Sequence, residues 1–180
     1  MLERSPIDSL PSGYTLRQGS TLERALLLKF MHRTYLELSA DENLDHLNGT
    51  VEQYFSQETP LWWVEQQSEP SGSQIIASLP SSRPVIAPIA CLWAGTAIDQ
   101  RSGDRHAHIF LLYVDPKHRR QGIGAALMQQ AEDWAIARGD HQIGLQVFQS
   151  NRPALTLYQH LGYQVQSLWM VKPLPDRDRH

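Results

Sequence analysis

The sequence predicts an α/β fold in which helices cover a central sheet, and three observations carry that expectation. Between residues 106 and 171, short β-branched and apolar runs alternate with helical ones in the order strand, helix, strand, helix, strand. In the first of those helices Ile123, Ala126, Leu127, Ala131 and Trp134 recur at spacings of three and four, so they share one apolar face. The 180 residues show neither a repeat nor a second domain, which leaves one domain at 13–172, a loose arm at 1–12 and a charged tail at 173–180.

The elements follow in order. Tyr14–Arg17 is a short strand. Ser20 opens a helix through Leu22–Leu38, because Ser20 and Glu23 have the spacing at which each side chain satisfies the other's free backbone N–H. A second helix is expected over Leu44–Phe55, with Asn48-Gly49 a potential break, and a strand over Leu61–Val64. Residues 65–83 are rich in Gln, Ser, Pro and Gly and read as a surface loop. Val85–Ile98 is a strand in which Pro88 marks a bulge or an edge, since proline cannot donate to a ladder. Asp99–Arg105 is a hairpin turn and His106–Val114 the next strand. A helix spans Gly122–Ala137 and is stopped by Arg138-Gly139. Then come a strand at Ile143–Phe148, a helix at Pro153–Leu161 ended by Gly162, and a last strand at Tyr163–Val171.

Composition excludes several classes. Sixteen basic against nineteen acidic residues give a net charge of −3, with no general excess for gripping nucleic acid. The N-terminus has no apolar signal-peptide core, and no run reaches the roughly 18 apolar residues of a membrane helix, so a cytoplasmic protein is expected. The single cysteine, Cys91, cannot form a disulfide within the chain; it sits in the apolar run Ile89–Trp93 and reads as core, with nothing nearby to make it a nucleophile.

The most informative stretch is Val114-Asp115-Pro116-Lys117-His118-Arg119-Arg120-Gln121-Gly122-Ile123-Gly124-Ala125. A strand ends, a polar turn follows, and a helix opens on two glycines. The first turn of a helix has free N–H groups and the positive end of the dipole, which suits a phosphate. Gly122 and Gly124 would let an anion approach the backbone, and Arg119 and Arg120 add charge. A Walker loop needs a Gly-Lys-Ser/Thr ending that is absent. A dinucleotide fingerprint needs a small residue where Leu127 stands, and a tighter turn. An ordinary glycine-containing strand-to-helix turn is the remaining alternative.

Arg119-Arg120-Gln121-Gly122-Ile123-Gly124 resembles the Gln/Arg-x-x-Gly-x-Gly/Ala signature of the GNAT acetyltransferase superfamily. Val114-Asp115-Pro116 upstream resembles it as well. So does Asn151-Arg152-Pro153-Ala154-Leu155-Thr156-Leu157-Tyr158 downstream, followed by Leu161-Gly162-Tyr163. The resemblance is good over 84–171, whereas the first 80 residues fit only in outline. It implies a GNAT-like fold: a mostly antiparallel mixed sheet of about six to seven strands with a splayed pair, flanked by about four helices.

The resemblance also implies roles. The backbone of Arg119, Arg120, Gln121, Gly122, Ile123, Gly124 and Ala125 would hold the pyrophosphate of acetyl-CoA, the acyl donor. The main chain at Leu112 and Val114 would pair with the pantetheine arm, with the Leu112 amide as the oxyanion donor to test. Tyr158 matches the general acid that protonates the leaving thiolate; packing beside Leu157 and Leu161 is the alternative. Asn151 contacts the cofactor arm or caps its helix. His108 stands where relatives place a base, and His106 shares its strand face as a helper. The two histidines could instead be solvated residues flanking a turn or a metal pair, but no further ligands with recognisable spacing accompany them, so no metal is expected. Glu37, Asp41 and Glu42 border the expected acceptor pocket, as solvated helix-end charges or as holders of a cationic amine. Trp62, Trp63 and Trp93 line the cleft or pack. His118 reads as exposed and non-catalytic.

The expected function is acetyl transfer to a primary amine by direct attack in a ternary complex, with no membrane or nucleic-acid partner and with a homodimer possible. A CoA-binding sensor of the same fold is the alternative. The acceptor, whether protein amine, amino acid, polyamine or antibiotic, is not written in the sequence.

Overall fold

The computed structural model describes residues 10–38, 44–67 and 87–174. Along them run β1 (Tyr14–Gln18), α1 (Arg24–Leu38), α2 (His46–Tyr54), β2 (Leu61–Gln66), β3 (Pro88–Ile98), β4 (Arg105–Val114), α3 (Ile123–Ala137), β5 (Ile143–Leu145) and α4 (Arg152–His160). A 3-10 turn at Thr21–Glu23 leads into α1, and the Glu23 carboxylate accepts from the Ser20 N–H at 2.8 Å. Asn48-Gly49 does not interrupt α2, because Leu47 and Val51 anchor the helix on both sides of the glycine. Asp41, Glu42, Val85 and most of the expected 65–83 loop lie outside the described residues.

The five strands form one sheet in the order β1-β2-β3-β4-β5. The first four pair antiparallel, and β5 lies parallel to β4 through the α3 crossover. Two helices cover one face. Leu27, Phe30 and Met31 of α1 and Leu47 and Val51 of α2 pack on Trp63, Cys91, Trp93, Leu111 and Tyr113. The Phe30 ring stands edge-on to Trp63 at 5.1 Å and to Tyr113 at 5.3 Å. The other face is covered by α3, whose Ile123, Leu127, Met128 and Ala131 meet Val64, Ala90, Leu92, Ala94 and Ile109. Each such large side chain contributes about 1.5–3 kcal/mol on burial. Leu61–Val64 is buried throughout because this central strand has a layer on each side, so its sequence is a continuous apolar run rather than an alternation. Trp62, Trp63 and Trp93 are buried in the core, and so is Cys91, whose thiol burial pushes well above its usual range.

Two irregularities shape the sheet. Val64 pairs with Ala90 but Glu65 with Pro88, so the expected irregularity at Pro88 is present. The second lies in β4. Trp93 pairs with Leu111 and Ala94 with Ile109, which leaves Phe110 as an extra residue. The bulge exchanges the faces. Before it, Ile109 points to α3; after it, Leu112 and Val114 point there, while Phe110, Leu111 and Tyr113 all face α1 and α2.

The sheet departs from expectation at its β5 edge. It has five strands among the described residues, not six to seven. Regular pairing of β5 stops at Leu145, short of Phe148. The expected last strand, Tyr163–Val171, makes no ladder; after Tyr163 donates its N–H to Tyr158 O at 2.9 Å, the chain continues unpaired. A three-residue β5 offers this segment too short a neighbour to pair along.

Candidate active site

The glycine-bearing signature loop follows β4 without delay. Asp115 accepts the Lys117 N–H at 3.0 Å and sets a 3-10 turn at Pro116–His118. Arg120 is left-handed at φ 63° and Gly122 at φ 85°; Arg120 is the one non-glycine residue with positive φ among the described residues. Left-handed residues bracketing Gln121 turn successive amides toward a common concavity, the geometry of an anion nest. None of the N–H groups from Arg120 to Ala125 has a protein acceptor among the described residues; the first α3 bond is Ala126 N–H to Gly122 O at 3.0 Å. Six consecutive free donors at a helix N-terminus suit a diphosphate. Gly122 is there for its φ, since a Cβ would meet nothing within 4 Å, whereas at Gly124 a Cβ would stand 3.2 Å from Leu157 Cδ2. Gly124 therefore admits α4 against the start of α3.

The strand before the loop is open on one side. β5 pairs with β4 only over Ala107–Ile109, so from Phe110 to Val114 the outer edge of β4 has no strand neighbour among the described residues. Leu112 and Val114 lie on that open stretch with their side chains against the α3 layer. The Val114 carbonyl is already used, accepting from Arg119 Nε at 2.8 Å.

Tyr158 projects from α4 into the cluster that holds Leu112, Val114 and Ile123. Asn151 caps that helix, accepting the Ala154 N–H at 3.2 Å. Burial pushes the Tyr158 phenol up to about 12, and its hydroxyl has no partner among the described residues. His108 faces the other side of β4, its ring 5.2 Å from Phe110 and 6.4 Å from His106. Gly144 on β5 makes room for the pair, because a Cβ there would lie 3.2 Å from His106 Nε2 and 3.8 Å from His108 Nδ1. Burial lowers the His108 pKa below its usual 6.5, and the neighbouring His106 lowers it further, so the ring is neutral at neutral pH. The His106 Nδ1 is buried without a hydrogen-bond partner. Among the described residues no group of three or more His, Cys, Asp or Glu converges as a metal site.

The profile of the acetyltransferase (GNAT) family matches residues 27–163, three quarters of the chain. The chain belongs to the GNAT family. It is 42% identical over 58 residues to the acetyl transferase GW6a of Oryza sativa subsp. japonica. The match covers 32% of this chain and 14% of the rice protein. It is 40% identical over 57 residues to the [ribosomal protein bS18]-alanine N-acetyltransferase of Escherichia coli (strain K12), over 32% of this chain and 38% of that one. The chain thus spans well under half the length of these relatives. A predicted acetyltransferase of Clostridium acetobutylicum, solved with acetyl-CoA, shares the fold at a TM-score of 0.62 and 17% identity, over 89% of this chain and 96% of that chain.

Within this GNAT domain the side chains of the signature loop divide. Arg119 turns inward, with its guanidinium on the Glu37 carboxylate of α1 at 2.6 and 2.9 Å and 5.9 Å from the Tyr113 ring centroid. Its charge is spent on the protein. Gln121 accepts from the Tyr14 hydroxyl at 2.9 Å, and the same hydroxyl lies 2.9 Å from His118 Nδ1. His118 is half-buried against Tyr14 rather than exposed. Arg120 has no side-chain partner among the described residues. The loop is therefore fastened from β1 by Tyr14 and from α1 by Glu37. Glu37 is visible in the sequence as a helix-end charge, while Tyr14 carries no local signal because its partners lie more than 100 residues away. A cavity of about 720 Å³ opens at the far end of α3 between Trp62, Thr96, Arg105, Trp134 and Arg138, and none of the signature residues lines it.

Proposed function

We propose that this protein transfers an acetyl group from acetyl-CoA to a primary amine by direct attack, in the cytoplasm. The observation that carries the proposal is the gap between β4 and β5, which runs from Phe110 to Val114 on the strand that leads to six unpaired loop amides. Those amides and the free Arg120 suit the diphosphate, and the open edge at Leu112 suits an extended amide-bearing arm. The bound thioester supplies an electrophilic carbonyl and a thiolate leaving group.

His108 and Tyr158 lie on opposite faces of β4, which matches the two proton movements. His108, held neutral by burial, takes the proton of an incoming ammonium from the α1/α2 side, with His106 beside it. Tyr158 keeps its proton at neutral pH and donates a hydrogen bond from the α3/α4 side to the sulfur. A phenol at about 12 is a weaker acid than an ordinary thiol, so transfer depends on the thiolate becoming more basic in the same dry surroundings. The Leu112 amide is the oxyanion donor of this scheme. The test is thiol release from acetyl-CoA across a panel of protein N-termini, amino acids, polyamines and aminoglycosides, with hydrolysis as control. Amine-dependent release with acetylated product is expected. Release no faster than hydrolysis with every amine, despite CoA binding, would favour a CoA sensor instead.

A further inference from the structure

The cavity at the far end of α3 takes no part in the acyl-transfer scheme, yet its walls carry a definite chemistry. Gln130, Asp133, Trp134, Ala137 and Arg138 recur at spacings of three and four, so one face of α3 forms a wall. Trp62 and Thr96 of the sheet, and the turn that holds Gln57 and Glu58, line it as well. The apolar part is rigid. Trp62 is 6% exposed and stands edge-on to Trp134 at 6.1 Å. The Arg138 guanidinium lies 4.3 Å from the Trp134 ring centroid, donates to Thr96 Oγ1 at 3.1 Å and pairs with Asp140 at 3.2 Å. These three contacts fix its plane, while its Nη1 group has no partner among the described residues. The polar part is open. Arg105 and Glu58, of opposite charge, line the cavity with no side-chain partner among the described residues, and so do the amides of Gln18, Gln57 and Gln130.

We infer that this cavity binds a free peptide of two or three residues, with an apolar side chain on the two indoles, its carboxylate on Arg105 and the Nη1 of Arg138, and its ammonium on Glu58. Two unpaired charges of opposite sign suit a zwitterion, because a plain anion would face Glu58 and a plain cation would face Arg105. A peptide group needs a donor and an acceptor together, and each glutamine side chain offers both. The size agrees. A volume of 720 Å³ lies within the usual range of about 300–1,000 Å³ for ligand pockets. A space of that volume is about 9 Å across, the span of two to three residues of extended chain at roughly 3.3 Å each. The site is separate from the proposed catalytic one. Its Trp62 floor belongs to the α3 face of the sheet, whereas His108 packs on Phe110 on the α1/α2 face, and Tyr158 lies near Ile123 at the opposite end of α3.

The test needs no turnover, so it stands apart from the acyl-transfer reading. Calorimetry with CoA present, where no acyl group can transfer, titrates leucyl-phenylalanine and its glycine-extended tripeptide into the whole protein. Saturable binding is expected, and N-acetylation or C-amidation of the peptide should weaken it about tenfold or more, the cost of losing a hydrogen-bonded charge. Arg105→Glu should weaken it to a similar degree, and its circular dichroism stays native because Arg105 is exposed and has no side-chain partner among the described residues. His108→Gln should leave peptide binding unchanged. No binding of either peptide, or equal binding of free and blocked peptides, overturns the inference. Binding that survives both Arg105→Glu and Trp134→Ala overturns it as well, and its loss in His108→Gln would then place the peptide on the acceptor face.

Discussion

Residues 87–163 carry all the signature residues, while residues 10–67 carry none, yet the two regions share the work of holding the signature loop. The later region supplies the free amides, the left-handed Arg120 and Gly122, and the open edge of β4. The earlier region supplies Tyr14 and Glu37, which fasten the loop by side-chain contacts of 2.6–2.9 Å. A motif can thus name a loop through its backbone while the residues that fix the loop in space stand elsewhere in the chain and leave no pattern.

That contrast predicts a gradient of effects. The largest belongs to Tyr158→Phe, expected to slow thioester turnover by about 10²–10⁴ with acetyl-CoA affinity nearly unchanged. Turnover and calorimetric Kd measured on one preparation check it, and unchanged turnover removes the acid assignment. His108→Gln comes next, at about 10²-fold in kcat/KM. The His108 pKa is lowered in the folded state, so the acid limb of the wild-type pH–rate profile falls below 6.5, and the variant loses that limb. The linked stability has a definite sign. Above 6.5 the ring is neutral in both states. As pH falls toward the lowered value the unfolded chain takes up the proton first and the fold loses stability. From pH 7.5 to 5 the thermal unfolding temperature of the wild type should therefore fall by more than that of the variant.

Smaller effects should come from the region without a motif. Tyr14→Phe keeps the ring and removes the hydroxyl that contacts Gln121 and His118, which predicts a three- to tenfold rise in Kd for CoA with little change in kcat at saturation. A fall in kcat with no change in Kd would sink the positioning role. Glu37→Gln should be smallest. The ion pair is about 40% exposed on both sides and is worth roughly 0–1 kcal/mol, so a change in CoA affinity of about fivefold or less is expected, shrinking further with added salt.

Legibility followed the range of the interactions. The helix of α3 was readable because its apolar face repeats every three or four residues, and the loop because two glycines and a strand end are contiguous. The last strand was misread for the same reason. Tyr163–Val171 has the local composition of a strand, but a strand is completed by its neighbour, and β5 is regular for only three residues. Trp62, Trp63 and Trp93 could not be placed in cleft or core from sequence, because burial depends on which layers α1, α2 and α3 take up.

The sequence by itself determined the family and the position of the signature loop between β4 and α3, since these rest on short contiguous patterns and backbone chemistry. Only the tertiary structure decided the direction of each side chain. The bulge at Phe110 moves Leu112 and Val114 to the α3 face and leaves His108 opposite Tyr158. Tyr14 and Glu37 were likewise assigned by packing, through contacts across 82 to 107 positions of chain. Contacts at that separation are set by how sheet and helices stack, and no local pattern encodes them.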